Sequence, residues 1–179
     1  GLLFVDRYEQ MLHPDLRGKA KIVYEFDATD MASGFMFPAM VREFRRGGIQ
    51  FAAIFSYDML RTAPMNLGWQ THFFNMVFTP SKAVSSMIAA EVMRRIPRGK
   101  HFGYYPDNRT FDDFRVSYDE QLSELNSGDM FYYSNTTSTR PKNLAALKHI
   151  AGVGSSPVVR YSGTGIYFLD KQDDNTWQL

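Results

Sequence analysis

One carboxylate stands out by its setting. Glu25 is the only acid in Ala20-Lys21-Ile22-Val23-Tyr24-Glu25-Phe26, a run whose β-branched and aromatic residues between turn signals predict a strand. It falls near the C-terminal end of that strand, with Tyr24 before it and Asp27 two residues on. In a barrel of eight strand–helix units the reacting groups sit at the C-terminal strand ends. A carboxylate held there can act as the nucleophile of a retaining glycosidase. The competing reading is structural: lone glutamates are common in strands, and Glu25 could pair with Lys21 or face a helix end.

Other chemistries find less support. His13, His72, His101 and His149 lie far apart, with no pair at a four-residue spacing, so no metal site is expected. Ser155-Ser156 lacks the strand–turn–helix setting of a hydrolase elbow. Gly163 and Gly165 mark a turn, not a phosphate cradle, because no helix follows. The basic stretch from Arg94 to His101 could hold an anion, but a helix C-terminus running into a solvated linker explains it as well. Tyr104, Tyr105, Tyr132, Tyr133, Tyr161 and Tyr167 could stack on a ligand, but strand residues in a core are the commoner use.

The elements that must position Glu25 follow from periodicity. Leu2, Val5, Tyr8 and Leu12 predict a helix over 2–12 that stops before Pro14. The strand 20–26 is followed by a helix over 35–46 with Phe37, Met40, Val41 and Phe44 on one face, closed by Gly47-Gly48. Residues 49–56 form a nearly continuous apolar run, as expected of a parallel strand covered on both faces. A long connection over 57–78 leads to Thr79-Pro80, an N-cap with Pro at the first helical position, and a helix to about residue 96 with Val84, Met87, Ile88 and Val92 inward. Such alternation predicts an α/β layered fold with a parallel sheet. Beyond residue 100 the pattern turns β-rich, with strands at 114–118, 130–133, 158–161 and 166–169, the last two as a hairpin. A short helix over 144–150 and a final strand at Trp177 complete it. The expected domains are therefore 1–100, layered α/β, and 101–179, part of a β-sandwich.

Composition bounds the partners. The chain has 179 residues, 20 Lys plus Arg against 19 Asp plus Glu, and a net charge of +1, which gives no support to a nucleic-acid or anionic-membrane binder. Zero Cys excludes a disulfide framework, a thiolate zinc site and a cysteine nucleophile. No apolar run has the length of a membrane helix, and the opening Gly1–Val5 run is too short for a signal peptide. The start inside an apolar stretch, the end at the first residues of a strand, and only two strands for a parallel sheet lead us to expect a piece of a longer protein.

The order helix, strand ending in Tyr24-Glu25-Phe26-Asp27, helix, strand 51–57, aromatic loop and closing helix resembles the last quarter of a clan A-type (β/α)₈ glycoside hydrolase over residues 2–97. It resembles in particular multidomain polysaccharide-degrading proteins of bacteria. The resemblance implies terminal units of a barrel followed by a β-rich accessory region. It makes Glu25 the nucleophile in retaining hydrolysis of a carbohydrate, without metal or cofactor. Tyr24 and Asp27 would orient Glu25 or bind sugar hydroxyls. Tyr57 and Asp58, after Ser56, occupy the second strand end, where that group often has Trp; the absence of Trp there leaves Trp69, Gln70 and His72 of the loop as replacements. The general acid of the group lies after the fourth strand, upstream of Gly1. Asp27, Asp30, Asp58 and Glu91 are the only conceivable partners within the chain, and Glu91 is expected to face solvent. The chain alone is accordingly expected to be inactive, with the rest of its own barrel as its partner and a secreted, periplasmic or cell-surface location. The rival reading is a non-catalytic carbohydrate-binding or scaffold protein with Glu25 structural.

Overall fold

Two short apolar runs meet side by side. In the computed structural model, which describes residues 1–28, 34–65, 74–174 and 176–179, β1 (Ile22–Phe26) and β2 (Phe51–Ile54) pair in parallel. Ile22 stands opposite Phe51 and Val23 opposite Ala52. The register then slips: Tyr24 and Glu25 together face Ala53 before Phe26 meets Ile54. A bulge of this kind bends a strand and re-aims its side chains.

Helix α2 (Phe37–Arg46) joins the two strands, with Pro38 in its first turn, where the missing N–H costs nothing. It buries Phe37, Val41 and Phe44, and the Phe37 and Phe44 rings meet Phe26 edge-on at 6.0 and 5.1 Å. Helix α3 (Pro80–Arg95) starts at the expected Pro, but Thr79 does not cap it through its side chain. The Thr79 hydroxyl instead accepts from the Asn75 N–H at 2.8 Å and donates to the Asn75 carbonyl at 2.9 Å. Val84, Ile88 and Val92 are buried as expected and Met87 is half-buried.

The single helix expected over 2–12 is broken. Helix α1 (Leu2–Val5) ends at Asp6, and two 3₁₀ turns follow, Glu9–Leu12 and Pro14–Leu16. Asp6 is the cause: its buried carboxylate turns to Arg42 of α2 and to the backbone N–H of Tyr105, which draws the chain out of the helical path.

After α3 the chain builds one seven-stranded sheet in sequence order: β3 (Thr110–Phe111), β4 (Phe114–Ser117), β5 (Leu122–Asn126), β6 (Met130–Tyr133), β7 (His149–Val153), β8 (Ile166–Lys171) and β9 (Trp177–Gln178). All neighbours are antiparallel except β6 and β7. One face, with Phe114, Val116, Ser123 and Leu125, packs toward α3, where the Ser123 hydroxyl donates to Ser85 Oγ at 3.0 Å. The opposite face buries Leu122, Phe131, Tyr133, Ile150 and Tyr167 with Leu147 from the connection between β6 and β7.

The fold is thus mixed α/β with a β-rich second half, and three expectations need correction. The sandwich is replaced by a single sheet covered by a helix on one face and connecting segments on the other; the described residues form no second sheet against it. The expected helix over 144–150 is absent: residues 144–146 form a turn in which Asn143 Oδ1 accepts from the Ala145 and Ala146 N–H groups, both at 3.1 Å, and 149–150 already belong to β7, which lies between β6 and β8. Residues 158–161 are not a strand, because Ser155 and Ser156 capture the backbone there: Ser156 Oγ accepts from the Val159 N–H at 3.2 Å, and Ser155 Oγ donates to the Tyr161 carbonyl at 2.9 Å. Tyr133 and Tyr167 are core residues that hydrogen-bond each other, as strand tyrosines usually are.

Candidate functional site

Parallel pairing brings the C-terminal ends of β1 and β2 to one edge, where the Phe55 N–H donates to the Phe26 carbonyl at 2.9 Å. Glu25 and Tyr24 both emerge there exposed, Tyr24 to 80%, because the bulge turns two successive side chains away from the packed layer. Phe26, next in line, returns to the core. Glu25 therefore stands on a strand but outside its alternation.

Asp27 behaves differently. Its side chain is only 6% exposed; its Oδ1 accepts from the Ala28 N–H at 2.7 Å and lies 3.9 Å from Lys82 Nζ. Lys82, on the first turn of α3, is 1% exposed, and burial pushes its ammonium pKa down while Asp27 pulls it back up. At the end of β2 the Tyr57 ring meets Phe74 edge-on at 5.4 Å and remains half exposed. Asp58 holds the returning chain: its N–H donates to the Phe74 carbonyl at 2.8 Å, its Oδ2 accepts from the Phe74 N–H at 3.2 Å, and its carbonyl accepts from Asn75 Nδ2 at 2.7 Å. Glu25, Tyr24, Asp27, Tyr57 and Asp58 thus gather around two neighbouring strand ends, the first two and Tyr57 open to solvent. Trp69, Gln70, His72 and Asp30 lie outside the described residues.

Glu91 is not on a solvent face. It is 7% exposed, because α3 is wedged between α2 and the seven-stranded sheet and so is covered on two sides. Burial alone would raise its carboxyl pKa, but hydrogen bonds from Arg94 and Arg95 outweigh that and hold it low. It sits in the last third of α3 and has no place beside Glu25.

A cleft of about 870 Å³ runs along β1, walled by Phe4, Tyr8, Met11, Met40 and Phe44, with Glu25 and Asp27 at one end and Glu43 in its wall. Glu43 escapes the sequence reading. It lies on α2, 3.1 Å from Arg46 Nη1, and burial pushes its carboxyl up to about 7 against the opposing pull of Arg46. Lys82 escapes it too, although a signal exists: Lys82, Ser85, Ala89 and Val92 form one stripe at helical spacing, small or apolar except for the lysine, and all four are buried. Among the described residues no group of three or more His, Asp or Glu gathers as a metal site would require. No protein-family model, curated protein or solved structure matches this chain.

Proposed function

We propose that β1 and β2 are the last two strands of a (β/α)₈ barrel and that Glu25 is the nucleophile of a retaining glycoside hydrolase whose general acid lies on another part of the same barrel. The observation that carries this reading is Glu25 itself, exposed at a register break at the C-terminal end of a parallel strand, beside the end of its neighbour. A strand end of this kind holds a carboxylate on a rigid frame while leaving it open to substrate. The uncovered side of the two-stranded sheet supports the same reading: Ile22, Tyr24 and Phe51 are large and exposed, whereas Val23, Ala52 and Ile54 pack toward the helices. The remaining barrel units would cover that side as partner. The carbohydrate substrate points to a secreted, periplasmic or cell-surface setting.

In the reaction one Glu25 oxygen attacks the anomeric carbon as the bond to the leaving oxygen breaks and the general acid protonates that oxygen. Water, deprotonated by the same residue now acting as base, then displaces Glu25 from the anomeric carbon and frees the carboxylate. Within the described residues the second carboxyl is not supplied by Asp27, which is turned to Lys82, by Asp58, which is bonded to Phe74, or by Glu91, which is remote.

The exposed Tyr24 and Tyr57 rings favour a second reading, a carbohydrate-binding module in which they stack on sugar and Glu25 is inert. Activated 2-deoxy-2-fluoro glycosides separate the two. In the intact polypeptide that carries this chain, they are expected to leave a covalent glycosyl adduct on Glu25, and Glu25→Gln to reduce turnover by at least about a thousandfold. The 179-residue chain by itself is expected to show no turnover. Saccharide binding without adduct or hydrolysis in the intact polypeptide would select the binding module, and turnover by Glu25→Gln at the parent rate would remove the nucleophile.

A further inference from the structure

The turn that leads into α3 is built around one amide. Asn75 is 1% exposed, and the Thr79 N–H and hydroxyl both donate to its main-chain carbonyl at 2.9 Å while its own N–H donates back to Thr79 Oγ1 at 2.8 Å. Its Oδ1 accepts from the N–H groups of Val77 at 2.8 Å and Phe78 at 3.3 Å, which closes the turn. An aspartate or a serine could supply such an acceptor ahead of a helix equally well. What asparagine adds is the amide nitrogen, and that is not spent on the turn: Nδ2 donates at 2.7 Å to the main-chain carbonyl of Asp58, 17 residues back. Two N–H groups at Oδ1 and a carbonyl at Nδ2 leave the amide one orientation. The same segment frames Tyr57. Tyr57 and Phe74 form a parallel bridge, their rings meet edge-on at 5.4 Å, and the Asp58 N–H donates to the Phe74 carbonyl at 2.8 Å. The Tyr57 ring is 55% exposed, so the backbone that carries it, rather than enclosure, sets where it stands.

We propose that Asn75 is a positioning residue for Tyr57: by tying the residue after Tyr57 to the start of α3, it sets the Tyr57 ring as a stacking surface for saccharide at the strand end next to that of Glu25. The inference rests on the hydrolase reading above. Asn75 itself, at 1% exposure, is not placed to touch substrate, so its effect runs through the end of β2. Helix α3 is a firm anchor for such a tie, because Val84, Ile88 and Val92 along it are fully buried. A ring stacked on a sugar contributes through its area of contact. A shift or tilt of the ring therefore weakens substrate binding more than it slows the chemistry at Glu25.

The test uses the intact polypeptide and a panel of 2,4-dinitrophenyl glycosides of mono- and disaccharides, the best substrate being carried through the variants. Asn75→Asp keeps the Oδ1 acceptor and turns the donor into an oxygen facing the Asp58 carbonyl. It is expected to raise KM about 5- to 20-fold while kcat stays within about threefold. Asn75→Ser, which keeps a turn acceptor without adding charge, is expected to do the same and decides the matter if the added carboxylate prevents folding. Tyr57→Ala is expected to raise KM at least as much. In the Tyr57→Ala background either Asn75 variant should change KM by less than about twofold, because the ring it positions is gone. An asparagine that serves only the turn would give the same KM change in both backgrounds. That result, or an unchanged KM in Tyr57→Ala or in both Asn75 variants, overturns the inference. Glu25→Gln measured alongside separates the two claims. If it is inactive while the Asn75 variants keep the parent KM, only the positioning role falls. If Glu25→Gln keeps its turnover, or the parent hydrolyses none of the panel, the hydrolase reading falls and the positioning role with it.

Discussion

Asp6 satisfies four donors with two oxygens. Its Oδ1 accepts from Arg42 Nε at 3.2 Å and Nη2 at 2.7 Å, and its Oδ2 accepts from the Tyr105 N–H and from Asn108 Nδ2, both at 2.9 Å. Arg42 spends its third contact on the Asn108 carbonyl at 2.9 Å and lays its guanidinium 4.7 Å from the Phe111 ring centre. Burial pushes the Arg42 pKa down and Asp6 draws it up, so each charge is tolerable only while the other is present. Asp6→Ala should therefore cost about 3–5 kcal/mol, read as a lower urea midpoint, because it leaves the guanidinium buried without its carboxylate. Glu43 presents the opposite balance. Its folded pKa of about 7 lies above the ordinary 4.5, so between these pH values the folded protein keeps a proton that the unfolded chain has released. Stability therefore falls as pH rises through that window, by an amount on the order of 3 kcal/mol by pH 8. Glu43→Gln, neutral throughout, should flatten the denaturation profile: near-parent stability at pH 5 and higher stability than the parent at pH 8. A profile that stays as steep in Glu43→Gln assigns the slope to another group.

At the scale of elements, β7 carries a sharp steric constraint. Gly152 faces Tyr133 across the strand pair, and a Cβ there would come within 2.7 Å of the Tyr167 hydroxyl, so Gly152→Ala should destabilise by about 1–3 kcal/mol through overpacking. Thermal unfolding of the variant checks it. The same part of the molecule shows where sequence pattern stops being informative. β1, α2, β2 and α3 are legible because continuous apolarity, Pro in the first turn and closing glycines are local signals, but β2 is not covered on both faces as its apolarity predicts, since Phe51 is exposed. β5 is not legible: Leu122-Ser123-Glu124-Leu125-Asn126 shows no apolar alternation from which a strand would be expected, yet every one of these residues is buried. Its polar groups are satisfied at long range. Glu124 accepts from Arg115 Nη1 at 2.9 Å, from Thr139 Oγ1 at 3.1 Å and from Thr137 Oγ1, while Asn126 donates from Nδ2 to the Arg140 carbonyl and accepts at Oδ1 from the Lys142 N–H, both at 2.9 Å. The stretch before β7 misleads in the other direction: the helix expected over 144–150 is a turn at 144–146 held by Asn143 Oδ1, and 149–150 pair with β6 and β8. In the candidate site, the carboxylates at 25 and 27 are visible because strands are. The bulge that exposes Glu25 depends on register with β2, and the burial of Lys82 and Glu43 depends on which helix faces are covered.

Over the whole molecule the large exposed apolar side chains are unevenly spread. Among the described residues half of them lie in the first sixty positions, including Ile22, Tyr24, Phe51, Phe55 and Tyr57 on or just beyond the two-stranded sheet. Ile22 and Phe51 are 63% and 59% exposed and stand directly opposite each other on its uncovered side. Among the described residues each strand of the two-stranded sheet also has one unpaired edge, and such edges recruit further strands. Burying one such side chain is worth about 1.5–3 kcal/mol, so a surface of this kind behaves as core once neighbours are supplied. If β1 and β2 close a barrel, Ile22→Lys/Phe51→Lys should have opposite consequences in two settings. In the 179-residue chain, where both positions meet water, stability should change by less than about 1 kcal/mol, read by urea denaturation. In the intact polypeptide two lysines would enter the barrel interior without partners, and the protein should lose several kcal/mol of stability or fail to fold. Equal tolerance in both settings would mean that the face meets water in the intact polypeptide too, leaving Glu25 on an open two-stranded edge with no opposing wall to hold a saccharide against it.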